Sequence, residues 1–208
     1  MNLTVFGASG RTGRPLVEQT LERGHRVTAF VRDPAKLGVE HERLTVVAGD
    51  AYTGEGVAEA VEDADAVASV LGQTSSGPDD LLTVAGANVM NAMEAHDVRR
   101  FVTLVGAGVR TEGEDVSLGG RVVGTLLKLL SREVLEDAKS HVADVRTRDL
   151  DWTVVRAPRL TQGDRTGEYR TGDIKLGVES VARGDVADFV LECAESELYV
   201  RELPKIGS

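Results

Sequence analysis

The chain of 208 residues has a single cysteine, Cys193, five prolines and few aromatic residues, and its longest apolar run is Phe101 to Val109. One thiol excludes an internal disulfide framework and any zinc or dithiol site built on paired cysteines. Redox chemistry in this chain therefore has to arrive with a bound cofactor. The apolar run is far short of the roughly 18 residues that a membrane-spanning helix needs. The opening residues do not read as a basic-then-apolar leader, so a soluble, cytoplasmic protein is expected. Lysine is also scarce, five against 19 arginines, and 34 acidic residues leave a net charge of −10. Such a field repels phosphate backbones and anionic lipid, which argues against nucleic acid or membrane as a partner. Against that background a local group of arginines is informative, and Arg11, Arg14 and Arg32 form one. Length and composition, 41% apolar and 28% charged with 23 glycines, fit one globular domain over 1–208.

Residues 3 to 6 form a short apolar run that ends in a glycine-rich turn, and Pro15 to Arg23 then read as an amphipathic helix closed by Gly24. Further strands are expected at Arg26 to Val31, Leu44 to Ala48 and Ala64 to Leu71, with a helical stretch Gly56 to Val61 between the last two. Asp80 to His96 has apolar residues at helical spacing, and Arg100 to Val105 is apolar enough for a central strand buried on both faces. A loop, a short lid-like helix at Val122 to Leu130 and a charged helix from Glu133 to Arg146 follow. Leu150 to Val155 gives a sixth strand. Beyond it lie a hairpin around Tyr169 and a helix from Asp185 to Ala194. The alternation predicts an α/β fold, a doubly wound parallel sheet of Rossmann type, with 157–208 as a small C-terminal, substrate-side elaboration. Ligands of such folds sit beyond the carboxyl ends of the strands.

Gly7, Gly10 and Gly13 are spaced GxxGxxG, with Ser9 at the middle position of the commoner GxGxxG. A tight turn from a buried strand into a helix needs positive φ and bare backbone, so that a diphosphate can reach the amides at the helix start. Arg11 and Thr12 can add a charge and a hydroxyl. At the end of the second strand, where a carboxylate would hold the ribose hydroxyl of NAD, stands Arg32, whose planar fork of donors suits a 2′-phosphate. NADP(H) is expected in preference to NAD(H). The competing reading leaves Arg32 solvated or paired with Asp33.

With Val5 to Gly13, Val31-Arg32-Asp33-Pro34, Gly49-Asp50, Val70-Leu71-Gly72, Leu150 to Pro158 and Arg183 to Ala187, the chain resembles the atypical NAD(P)-binding branch of the short-chain dehydrogenase/reductase superfamily. That branch contains the biliverdin-IXβ/flavin reductases and the NmrA-like proteins. The resemblance implies that Asp50 and Ala51 lie by the adenine, that Leu71, Gly72 and Gln73 run beside the ribose and diphosphate, and that the backbone at Pro158 flanks the nicotinamide. The strand-end Gly106 joins this set. Each has a plainer reading: Asp50 and Asp185 as helix caps, Trp152 and Cys193 as core.

The superfamily's better-known members use a Tyr-x-x-x-Lys pair and a strand-end serine. Here the matching lysine is Lys139, Leu135 stands four residues before it, and Gly106-Ala107-Gly108 offers no hydroxyl. Asp137 and His141, spaced i, i+4, share one helix face, and His141 tuned by Asp137 is a candidate proton donor. This assignment and Lys139 are alternatives. The others of the four histidines, His25, His41 and His96, have no partners at metal-ligand spacing, and no metal site is expected. The reading is an NADP(H)-dependent reductase for a small flavin- or quinone-like or carbonyl acceptor. A non-catalytic NADP(H) sensor of NmrA-like type is the alternative, and an epimerase/dehydratase the second. A homodimer is allowed for.

Overall fold

The computed structural model describes residues 1–73, 77–110 and 132–208. The lid-like helix expected at 122–130 lies outside them. Among the described residues ten strands and five helices follow one another: β1 Asn2–Phe6, α1 Gly13–Glu22, β2 Arg26–Val31, β3 Leu44–Ala48, α2 Val57–Val61, β4 Ala66–Ser69, α3 Leu81–Ala95 and β5 Arg100–Gly106. After them come α4 Arg132–Val145, β6 Asp151–Ala157, β7 Arg159–Thr161, β8 Arg170–Gly172, β9 Ser180–Ala182, α5 Arg183–Ser196 and β10 Lys205–Gly207. One sheet has the order β3-β2-β1-β4-β5-β6-β10-β8, parallel except for β8, and β7 pairs with β9 in a small second sheet. Strand order reverses between β1 and β4, and a crevice opens there at the carboxyl ends of the strands. The expected doubly wound α/β fold is what the chain forms.

The inner strands read as continuous apolar runs because helices cover both faces of the sheet. α1 and α5 bury Leu16, Val17, Leu21, Val186, Phe189 and Val190 on one face. On the other, α2, α3 and α4 cover Phe6, Phe30, Phe101 and Val154. α1 shows why such a helix stops where it does. Leu16, Val17, Thr20 and Leu21 make its buried stripe, and Gly24, at φ +88°, turns the chain while its amide donates to Leu21 O. α5 ends against the buried guanidinium of Arg100, which donates to Cys193 O at 2.6 Å and to Leu198 O at 3.0 Å. Those carbonyls have no partner within the helix, and a buried one left bare would be costly.

Two local expectations are corrected. There is no hairpin at Tyr169, because β8 pairs with the C-terminal β10, whose three residues are too few to announce a strand. Asp185 is not the N-cap of α5. It sits inside the first turn and accepts from the amides of Thr166 and Gly167, so it fastens the incoming loop to the helix. Among the described residues no helix is long and apolar enough to cross a membrane.

The buried face of α4 carries Asp137, Ala138, His141, Val142 and Val145. His141 lies against Gly86 of α3, where a Cβ would collide with its ring, and against Phe101 of β5. Its Nε2 shares a 3.0 Å hydrogen bond with Thr103 Oγ1, and its Nδ1 is buried with no partner among the described residues. Burial pushes the imidazole pKa down to about 4, against a weaker upward pull from Asp137 and Asp144. The neutral ring is the one that folds. Below pH 6.5 the unfolded chain gains a proton that the folded chain refuses, so stability falls with pH until the folded pKa is reached. Between pH 7 and pH 5 urea denaturation should show a loss of roughly 2 kcal/mol through this residue. His141→Gln should lack that part of the slope, and an identical slope in the variant would mean that the ring is hydrated.

Candidate functional site

At the crevice, β1 gives way to α1 through Gly7 to Gly13. Gly7 has φ +83°, and a Cβ on it would lie 3.0 Å from Val70 O and 3.1 Å from Leu71 N. A Cβ on Gly13 would drive into the carbonyl of Gly7, 2.7 Å from its carbon. The Gly10 amide closes the turn on Gly7 O at 2.9 Å. α1 follows Thr12, which makes no side-chain cap. Arg14 N donates to Gly10 O, Leu16 N donates to Thr12 O and Pro15 has no N–H, so among the described residues it is the amides of Arg11, Thr12 and Gly13 that are left for a ligand. Ser9, Gly10 and Arg11 are exposed and Thr12 is buried.

Arg32 is exposed just past β2 and lines a cleft of about 310 Å³ with Ala48, Gly49, Asp50 and Glu55. Asp33 does not neutralise it. The Asp33 carboxylate accepts from Ala35 N at 3.2 Å and pairs with Lys36. Asp50 closes its own turn by accepting from the Tyr52 amide at 2.8 Å and caps no helix. Ala51 is buried, and Asn88 of α3 donates to its carbonyl. Gly49 keeps the cleft floor low, since a Cβ there would sit 2.8 Å from the Phe30 ring. Arg183, which opens α5, is a further cation beside the glycine turn. Burial and the nearby charge of Arg11 lower its pKa from the usual guanidinium value. No local pattern gives Arg183 a role, because only the folded chain brings residue 183 next to residue 11.

The rest of the crevice is lined by backbone. A Cβ at Gly72, past β4, or at Gly106, ending β5, would meet nothing within 4 Å, which leaves room beside both strand ends. Pro158 is half-buried after β6, and the Ala107 amide donates to Ala157 O across the strand ends at 2.7 Å. Gln73 turns its side chain away, donating to Asp79 O and to Asp137 Oδ2. These glycines and open amides suit a dinucleotide, whose diphosphate needs close approach to backbone rather than to side chains.

The three catalytic candidates are not brought together there. His141 is 1% exposed between α3 and β5, so it cannot hand a proton to a ligand in the crevice. Asp137 is buried and spends both oxygens on Gln73 and on the first turn of α3. Lys139 is exposed and pairs with Glu136 one turn away. The position on α4 that reaches the strand ends is Leu135, whose Cδ1 would lie 3.3 Å from a Cβ at Gly108. The same i, i+4 spacing that pairs Asp137 with His141 puts both on the apolar stripe. Tyr169 is likewise turned from the crevice, donating to Asp188 Oδ2 at 2.9 Å, with burial and the acidic neighbours holding its pKa well above the phenol value. Among the described residues no three His, Cys, Asp or Glu side chains gather as a metal site would need.

The model of the NAD(P)H-binding family matches residues 7–197 of the chain. YwnB of Bacillus subtilis is 27% identical over 191 residues, 89% of this chain and 84% of that protein. A 3-beta-hydroxysteroid dehydrogenase of Mycolicibacterium neoaurum is 33% identical over 127 residues, 55% of this chain but only 34% of the enzyme. Among solved structures, the oxidoreductase ylbE of Lactococcus lactis superposes with a TM-score of 0.82 at 18% identity, covering 100% of this chain and 91% of that one, which is a likeness of fold. With its glycine turn, its uncapped α1 and a match that runs over nearly its whole length, the chain belongs to the NAD(P)H-binding family of Rossmann-type proteins.

Proposed function

We propose that this chain is an NADP(H)-dependent reductase that passes hydride to a small planar or carbonyl acceptor of the flavin or quinone kind. Arg32 carries the cofactor preference. It is an exposed guanidinium in the adenosine-side cleft, and the carboxylate next to it is occupied by Ala35 and Lys36. In a chain of net charge −10 an exposed arginine at that place, with no ion pair among the described residues although Asp50 and Glu55 share its cleft, favours a ligand with an extra phosphate. Arg11 would reach the same group from the glycine turn, and the amides of Arg11, Thr12 and Gly13 would hold the diphosphate. Asp50 and Ala51 would wall the adenine, Leu71 and Gly72 the ribose, and Gly106 and Pro158 the nicotinamide.

The bound nicotinamide supplies the hydride, so binding, orientation and exclusion of water are left to the protein. Leu135, packed at Gly108, and the bare backbone at Gly106 would give the acceptor an apolar neighbour at the end of β5. A conjugated acceptor suits it, because such a molecule takes its proton from water and needs no tyrosine. A second reading, a cofactor-sensing protein without turnover, is favoured by one observation: His141, Asp137 and Lys139 are all engaged elsewhere.

Oxidation of NADPH, with NADH as control, against flavins, quinones and carbonyls separates the two. Turnover with one of these classes supports the reductase, and tight binding without turnover supports the sensor. Arg32→Ala should weaken NADPH by roughly tenfold or more and leave NADH nearly unchanged, the size expected for a lost charge-assisted contact. Equal losses would remove the 2′-phosphate assignment. Gly13→Ala should abolish binding of both dinucleotides and lower the thermal midpoint, because the added methyl meets backbone that cannot retreat.

A further inference from the structure

Both oxygens of the Asp137 carboxylate are fully used. Oδ2 accepts from Gln73 Nε2 at 2.7 Å and from the Leu82 amide at 2.9 Å, while Oδ1 accepts from the Thr83 amide at 2.9 Å and Thr83 Oγ1 at 2.7 Å. Leu82 and Thr83 belong to the first turn of α3, a helix whose own N-cap residue, Asp80, makes no capping bond. A carboxylate from α4 thus caps α3, where the aligned peptide dipoles favour negative charge. Asp80 is instead the acceptor for Tyr52 OH at 3.0 Å. About two helix turns further on, Asn88 donates to the carbonyls of Ala51 and Tyr52 at 2.9 and 3.0 Å.

These bonds form one chain of contacts across the crevice. The residues after β4, ending at Gln73, and the adenine-side turn Asp50 to Glu55 lie on opposite sides of the switch point. Both are fastened to α3, and the start of α3 is fastened to Asp137. We propose that Asp137 is a positioning residue: from α4 it holds both walls of the cofactor crevice in the form that accepts a dinucleotide, without touching the dinucleotide itself. The proposal rests on the NADP(H) reading for the identity of what is accepted, while the anchoring of the walls stands on the hydrogen bonds alone. The direct arm runs through Gln73 and the longer one through α3 and Tyr52. Asparagine at 137 would weaken both, since it loses the charge, keeps one acceptor oxygen for one pair of donors and turns its amide nitrogen on the other pair.

Gln73→Ala cuts the direct arm and leaves the cap on α3 intact. It should weaken NADPH about tenfold, the scale of a lost hydrogen bond to a charged group, and speed amide exchange at Leu71 to Gln73, with the thermal midpoint unchanged. Tyr52→Phe should do the same on the adenine side, and Asp137→Asn should loosen both walls. Gln73→Ala added to Asp137→Asn should cost no more than Asp137→Asn alone, because the two share one interaction. Unchanged affinity and exchange in Gln73→Ala and Tyr52→Phe, with only the midpoint lowered in Asp137→Asn, would reduce Asp137 to a helix cap and overturn the proposal. If the wild type takes up neither NADPH nor NADH, the cofactor reading fails and exchange decides: faster exchange in Gln73→Ala upholds the anchor, and unaltered exchange ends it.

Discussion

The contact between Gly13 and the carbonyl of Gly7 is the constraint on which the site depends. It brings the start of α1 against the end of β1 at a separation that no side chain tolerates, and the positive φ of Gly7 lets the chain turn there while Val70 and Leu71 of the neighbouring strand end close by. With backbone stacked on backbone, amides and not side chains face the crevice at its narrowest point. The entry to α1 is the electrostatic half of the same arrangement, because the amides of Arg11, Thr12 and Gly13, which have no acceptor among the described residues, and the helix dipole behind them form a place where negative charge is welcome.

Charge is distributed to match. Away from the crevice, arginines are mostly consumed by structure: Arg23 by Asp188 and Glu195, Arg148 by Glu94 and Asp144, Arg100 by carbonyls. The first of these joins α1 to α5, and the network continues through Arg165 and Tyr169 on Asp188, so the segment after β7 is held down on α5. Arg11, Arg32 and Arg183 stand apart from this at the crevice rim. Arg183 and Arg11 even oppose each other. An acidic protein that leaves like charges facing one another at a helix start gains little from them in the fold itself, and their placement makes sense against an anion.

Much of this was legible in the residues. The turn was readable because its requirements are local: three glycines at fixed spacing after an apolar run admit few other conformations. The order of strands followed from the alternation of patterns, and Arg32 from its place at the end of the second strand. What could not be read was which way α4 faces. Asp137 and His141 share a face by spacing alone, yet so do Ala138, Val142 and Val145, and the apolar residues decide that this face is buried. The apolar stripe was present in the sequence, and weighing it against the polar pair would have placed His141 in the core. The pairing of β8 with β10 and the meeting of residues 11 and 183 are long-range matters that no local pattern encodes.

The arrangement of α4 bears on the chemistry. In this chain its buried polar groups hold other elements in place, Asp137 capping α3 and His141 bracing β5 through Thr103, while the exposed Lys139 pairs with Glu136 on the same helix. A helix so committed cannot move a proton at the strand ends without releasing part of the fold, and burying a neutral imidazole already costs stability in acid. The residue it does extend toward Gly108 is Leu135, which can shape a surface and exclude water but can donate nothing. Reduction of an isolated ketone, where hydride and proton must arrive together, is poorly served by such a wall. In the proposed reductase an acceptor that spreads the incoming electron pair over a conjugated system would have time to take its proton from solvent, and an apolar side chain near the place proposed for the nicotinamide would be an advantage to it.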